Sequence, residues 1–161
     1  MIKSGESVSF SGTVYTARDA AAKRMLAENA FPFDMNGAVI YFAGPTDAPE
    51  GQIIGAIGPT TSGRMERYIK RLLELGARGF IGKGGFSDAT AAVIAEYGGV
   101  YLCAVGGAGA LYADCVKSAE VLAYPELGCE AVRRLEVVDM PLICGIDSLG
   151  NSVFAGNSSV L

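Results

Sequence analysis

The sequence predicts an α/β fold with a mostly parallel central sheet and some antiparallel strands near the ends. Three observations predict it: short continuous apolar runs, helix patterns that alternate with them, and glycine-rich junctions between the two. The runs are VSFSGTVY, AVIYF, QIIGAI, RGFIG, VYLCAV, EVLAY and PLICGI. Runs that are continuous rather than alternating fit strands covered on both faces.

The first helix pattern spans about 17–29, with Thr16 as its expected N-cap and Asp19 three residues on. The second spans about 62–75 and ends at Gly76; Met65, Ile69, Leu72 and Leu73 share one apolar face. The third spans about 87–97 and stops at Gly98, and a shorter helix follows Gly109. The tail reads as a hairpin, with PLICGID, a turn at 148–151, then SVFA. The 161 residues are half hydrophobic and contain no linker, repeat or low-complexity tract. One domain over residues 1–161 is therefore expected.

The net charge of −4 argues against nucleic acid or an anionic membrane as the main partner. The chain has no uncharged apolar run of membrane-spanning length, and its N-terminus lacks a signal-peptide core, so a cytoplasmic protein is expected. The absence of histidine removes Ser-His-Asp and Cys-His catalysis and most catalytic zinc sites. Four cysteines stand at 103, 115, 129 and 144, none in a C-x-x-C spacing, so no zinc or iron–sulfur motif is written here. Cys103 and Cys144 lie in strand-like runs and read as buried reduced thiols. Glycine, at 22 of 161, is about twice its usual ~7% share, and it gathers in short loops.

Four strand-to-helix junctions hold those loops: VYTARD (14–19), IGPTTSGR (57–64), IGKGGFSD (81–88) and VGGAGAL (105–111). In an open α/β sheet such junctions meet at the carboxyl ends of the strands, where helix N-termini favour an anion. Arg18 and Arg64 fall in first helical turns and Lys83 between glycines. Cations oppose the helix dipole there, so their joint placement on one edge points to a shared anionic ligand. Arg67, Lys70, Arg71 and Glu74 read as a solvated helix face. Of Thr60 and Thr61, one is read as an N-cap and the other as free to meet the ligand. GKGG is no Walker A motif, since Gly84 follows Lys83 where Ser or Thr is needed.

The motifs TARDAAAKR (16–24), GPTTSGRME (58–66), GKGG (82–85), GGAGAL (106–111) and IDSLGN (146–151) appear in series. Together they resemble the β-subunit or C-terminal domain of iron–sulfur hydro-lyases, the class I fumarases and L(+)-tartrate dehydratases. The resemblance covers nearly the whole chain and implies a swivelling β/β/α domain. It implies no cofactor on this chain and a [4Fe–4S] cluster on a partner α-subunit, in a heterodimer or heterotetramer that binds a small dicarboxylate. An open iron of that cluster would act as a Lewis acid on the leaving hydroxyl. Matched residue by residue, Arg18, Arg64 and Lys83 correspond to the family's substrate-carboxylate ligands. Thr60 corresponds to its catalytic threonine, which works with an acidic residue of the other subunit. Relatives often carry histidine where Ala22 stands. The implied reaction is the reversible hydration of fumarate to malate. The alternatives are a tartrate dehydratase β-subunit and a non-catalytic small-anion-binding module.

Overall fold

The computed structural model describes residues 1–156. Strands β1 (Ser7–Thr16), β2 (Val39–Tyr41), β3 (Gly79–Gly82) and β4 (Val100–Cys103) pair side by side and in parallel. β5 (Val116–Ala123) and β6 (Val132–Ile146) follow and pair antiparallel with each other. β6 also pairs antiparallel with both β1 and β4. The sheet therefore closes on itself through β1–β2–β3–β4–β6, and β5 lies outside the ring against β6. It is an α/β fold with a mixed sheet, four parallel strands and then the antiparallel ones expected near the end, although antiparallel pairing takes a larger share than expected. The cause is β6, whose 15 residues reach three neighbours.

Helices α1 (Asp19–Glu28), α2 (Glu66–Glu74) and α3 (Asp88–Glu96) share one apolar cluster. Their Ala21, Met25, Ile69, Leu72, Leu73, Ala91 and Ile94 pack with Ile40, Phe42, Phe80, Tyr101 and Ile146 of the sheet side. The alternate residues Tyr41, Ile81, Leu102, Leu142 and Cys144 form a second cluster with Tyr112 and Cys115 of α4 (Gly109–Cys115). Both faces of β2–β4 are thus covered, which is why those strands read as continuous apolar runs. Among the described residues no helix is long and apolar enough to cross a membrane.

Three local expectations are corrected. Thr16 does not cap α1; Arg18 holds that position, without a side-chain capping bond. The Thr16 hydroxyl is buried at the end of β1, donating to Ala131 O at 3.2 Å and accepting from Arg133 N at 3.0 Å, so it ties β1 to β6. QIIGAI is not a strand but an irregular segment. It folds back on itself, with Thr46 N donating to Ala56 O at 2.9 Å, because Ile54 and Ile57 can be buried from a loop as well as from a strand. The tail does turn back, but as one bridge, Ile146 to Ser152, rather than a full hairpin.

That last turn is organised by Asp147, which is only 3% exposed. Its carboxylate accepts from Ser4 N (3.2 Å), Leu149 N (3.0 Å), Asn151 N (3.0 Å) and Asn151 Nδ2 (2.9 Å). Burial disfavours the charge, but the bonds from Asn151, Ser4 and Leu149 outweigh it and hold the carboxyl below its ordinary range. A depressed folded pKa adds stability above the unfolded value of about 3.9, and that stability is lost as pH falls through the folded value. Asp147→Asn should therefore lower stability at pH 7 by about 1 kcal/mol, a modest figure because the amide keeps one oxygen acceptor for the same donors. Urea unfolding of both proteins from pH 7 down to about pH 3 checks this, and the variant should lose less stability over the acid range.

Candidate functional site

Because β1–β4 are parallel, the segments that leave their carboxyl ends emerge on one edge. Arg18 follows β1, Lys83 follows β3, and Gly106 lies beyond β4. Thr60 and Thr61 end the long segment after β2 and lead into a 3-10 turn, Ser62–Met65, that carries Arg64 and runs on into α2.

The second and third of these segments are tied to each other. Thr60 donates twice to Phe42 O, from its backbone N at 2.7 Å and from Oγ1 at 2.9 Å. Lys83 N donates to Thr60 O at 3.2 Å, and Ser62 N donates to Lys83 O at 2.9 Å. Thr61 and Lys83 thereby form one parallel rung that extends β3. Thr61 holds the N-cap position of the 3-10 turn, but neither threonine hydroxyl caps it. The Lys83 side chain lies by the fourth segment: a Cβ built on Gly106 would sit 3.5 Å from its Cδ and 3.8 Å from its Nζ.

Beneath the edge, tyrosine hydroxyls hold the segments. Tyr41 donates to Ile57 O at 2.7 Å. Tyr101 bonds Ser62 Oγ at 2.7 Å and Gly84 O at 2.8 Å. Tyr112 accepts from Val105 N at 2.7 Å and donates to Pro141 O at 3.1 Å. Burial pushes the Tyr41 and Tyr101 phenols far up, so both stay protonated donors. Glu66, two residues past Arg64, accepts from Ser87 N (2.9 Å), Thr90 Oγ1 (2.7 Å) and Ser87 Oγ. Burial alone would raise this carboxyl; the Ser87 and Thr90 bonds outweigh it and hold it low. Glu66 thus ties the start of α2 to the start of α3.

Arg18 is held differently. Its Nε lies 3.7 Å from the Glu130 carboxylate, and its Nη1 points at Cys129 Sγ, 3.8 Å away. Arg64 and Lys83 are exposed and make no ion pair among the described residues. The structure therefore brings Thr60, Thr61 and Lys83 together and sets Arg64 on the same turn. Arg18 it places on the same edge, drawn toward Glu130. A groove of about 200 Å³ opens beside it, between residues 45–55 and β5, and is lined by Asp47, Glu120, Cys129 and Arg133. None of Arg18, Thr60, Arg64 and Lys83 lines that groove.

The thiols do not gather at this edge. Cys144 and Cys115 are buried, Cys103 is half-buried and Cys129 exposed. Burial pushes the Cys103 thiol up to about 11, and raises Cys115 and Cys144 as well, so these three are neutral thiols at pH 7. Sequence reasoning missed Tyr101, Ser62, Glu66 and Glu130. The S-x-x-T spacing of Ser87 and Thr90 at the head of α3 was a signal for a helix start, though not for a carboxylate arriving from α2.

The family described as the fumarase C-terminus matches residues 1–157. A protein named as a class I fumarate hydratase from Geobacillus stearothermophilus is 40% identical over 157 residues, covering 94% of this chain and 30% of the relative. The aerobic class I fumarate hydratase of Escherichia coli is 37% identical over 153 residues, covering 91% of this chain and 28% of the relative. A protein named as an L(+)-tartrate dehydratase β-subunit from Methanocaldococcus jannaschii is 39% identical over 163 residues, covering 95% of this chain and 84% of the relative. The chain thus spans less than a third of the fumarate hydratases it matches and most of the β-subunit.

Two glycines at the edge separate space from backbone conformation. A Cβ on Gly82 would collide with Ser62 Oγ, whereas one on Gly84 meets nothing within 4 Å but needs a φ of +75°. Gly82→Ala should cost about 1–3 kcal/mol through overpacking, and Gly84→Ala about 1–2 kcal/mol through backbone strain. Chemical denaturation checks both, and the amide resonance of Ser62 should move far more in the first variant.

Proposed function

This chain belongs to the fumarase C-terminus family, and from that premise we propose that it is the substrate-gripping, β-type part of an iron–sulfur-dependent hydro-lyase that interconverts fumarate and malate. In this reading it is active only when joined to a part that carries the [4Fe–4S] cluster, and its domain swivels against that part. One observation carries the proposal: three unlike segments set Arg18, Arg64 and Lys83 on a single sheet edge, where Thr60 is tied to Phe42 O and to Lys83 N.

The chemistry suits such an edge. Loss of water from a 2-hydroxy diacid removes the proton next to a carboxylate, and negative charge builds on that carboxylate. Fixed cations around it favour the transition state over the ground state. An arginine grips a carboxylate through two parallel N–H bonds; with Glu130 at Nε, Arg18 meets substrate through Nη2 and through Nη1, whose 3.8 Å contact with Cys129 Sγ is a weak one to give up. Lys83 adds a point charge. The Thr60 hydroxyl gives its proton to Phe42 O, which aims its lone pairs away from that carbonyl. There it serves proton transfer together with an acidic residue of the partner.

The cluster does not fit this chain's own side chains. Among the described residues no three Cys, Asp or Glu side chains converge where a metal could sit. The partner that holds it is, in this reading, the remainder of a longer hydratase or a separate α-subunit in a heterodimer or heterotetramer. A second reading, the β-subunit of a tartrate dehydratase, is favoured by the 84% coverage of the named β-subunit.

Anaerobic co-expression with a cluster-bearing α-type subunit, followed by assays with fumarate, malate and tartrate, tests both readings. The isolated chain should show no turnover, and turnover by the isolated chain overturns the shared-site reading. In the assembled enzyme Arg64→Lys should lose roughly 10²–10³ in rate, the usual cost of a donor aimed at developing charge. Arg67→Lys, on the solvated face of α2, should be nearly silent. Equal turnover and equal KM in the two variants, with matched melting curves, would show Arg64 to be surface charge.

A further inference from the structure

Ser62 and Tyr101 are fully buried, with 0% of either exposed, and they belong to different parts of the fold. Ser62 opens the turn that carries Arg64, and Tyr101 lies on β4. A phenol has one proton. Tyr101 spends it on Gly84 O at 2.8 Å, so the 2.7 Å bond to Ser62 must carry the serine's proton. The chain of donors runs one way, from Ser62 O–H to Tyr101 O–H to the Gly84 carbonyl.

A trans peptide points its N–H opposite to its C=O. The Gly84 carbonyl is drawn inward to Tyr101, so the N–H of the same peptide, that of Gly85, faces outward at the Lys83 edge. It meets no acceptor among the described residues. The φ of +75° at Gly84 turns the backbone to allow this orientation, and the Phe154 ring clamps the other side: a Cβ on Gly85 would lie 2.7 Å from its Cγ. Lys83 itself is gripped between Thr60 O and Ser62 N. A break in the buried chain would therefore release the Gly84–Gly85 peptide plane, while these backbone bonds still hold the turn that carries Thr61 and Arg64 beside Lys83.

We propose that Tyr101 is a positioning residue, which with Ser62 fixes the Gly84–Gly85 peptide so that the Gly85 N–H joins Lys83 as a donor to the substrate carboxylate. The assignment of a donor role to Gly85 rests on the hydro-lyase reading above; the coupling of the two loops through Tyr101 does not.

The test has two arms. In the first, amide spectra of the ¹⁵N-labelled 161-residue chain compare Ser62→Ala in the native and the Tyr101→Phe backgrounds. Ser62→Ala should move the Gly85 resonance when Tyr101 is present and leave it in place when Phe stands there. An unmoved Gly85 in the native background, or an equal shift in both, overturns the coupling. In the second arm the assembled enzyme is assayed with fumarate. Tyr101→Phe, which removes the bond to Gly84 O, should raise KM about tenfold, and Ser62→Ala, which leaves that bond, should raise it less, each with a smaller change in kcat. The double variant should be no worse than Tyr101→Phe alone, because Ser62 reaches Gly84 only through the tyrosine hydroxyl. A lowered melting temperature with KM unchanged overturns the positioning role, and so does additivity of the two effects on KM. If the unmutated assembly turns over none of fumarate, malate and tartrate, the hydro-lyase reading fails, the donor role falls with it, and the amide arm alone decides the coupling.

Discussion

β6 pairs with β1 from Ser7 to Tyr15 and with β4 at its own far end, and this double pairing fixes where the four parallel strands point. A three-residue strand such as β2 and a four-residue strand such as β3 hold little register alone. Closed into a ring by one long antiparallel strand, they cannot slip or fan apart. Their carboxyl ends are then held at one edge, and the segments that leave them must start within a short span. The buried Thr16 hydroxyl strengthens the same seam by bonding β6 on both sides of its own strand end.

Above that frame, the edge carries a conflict. Glycine-rich loops offer little side-chain bulk to cover their own backbone, yet buried loop carbonyls need partners. Tyrosines resolve it from beneath. Tyr41 and Tyr101 satisfy Ile57 and Gly84 carbonyls from the core side, and Tyr112 does the same for the Val105 N–H. Each ring fills one of the two apolar clusters while its hydroxyl fixes a loop, so packing and loop geometry are linked. Glu66 works in a similar way between helices, since its carboxylate takes up donors at the head of α3. The arginines and the lysine stay exposed or half-exposed on the outer side, at a modest cost against the helix dipoles.

Much of this was legible in the residues. Continuous runs such as RGFIG and VYLCAV read as strands covered on both faces, and they are. Ser87 before an apolar pattern marked the start of α3, and its hydroxyl does cap it by accepting from Thr90 N. The extent of β6 was not legible. Arg133, Arg134, Glu136 and Asp139 interrupt its apolar residues, Asp139 takes a φ of +52°, and only the last stretch keeps a continuous apolar look. QIIGAI misled for the opposite reason: its buried isoleucines satisfy the core from an irregular backbone.

The sequence by itself determined the local grammar: which stretches are strands and helices, where glycine permits a turn, and that cations crowd the junctions. Those properties depend on residues within a few positions of one another, and hydrophobic period and turn chemistry report them directly. Tertiary structure alone decided that Thr16 joins β6 instead of capping α1, and that Tyr101 joins Ser62 to Gly84. It alone decided that Arg18 leans to Glu130 while Arg64 and Lys83 stand free among the described residues. These contacts link positions far apart in the chain. A polar side chain chooses among all the donors and acceptors that packing brings within about 3 Å, and no local pattern encodes that choice.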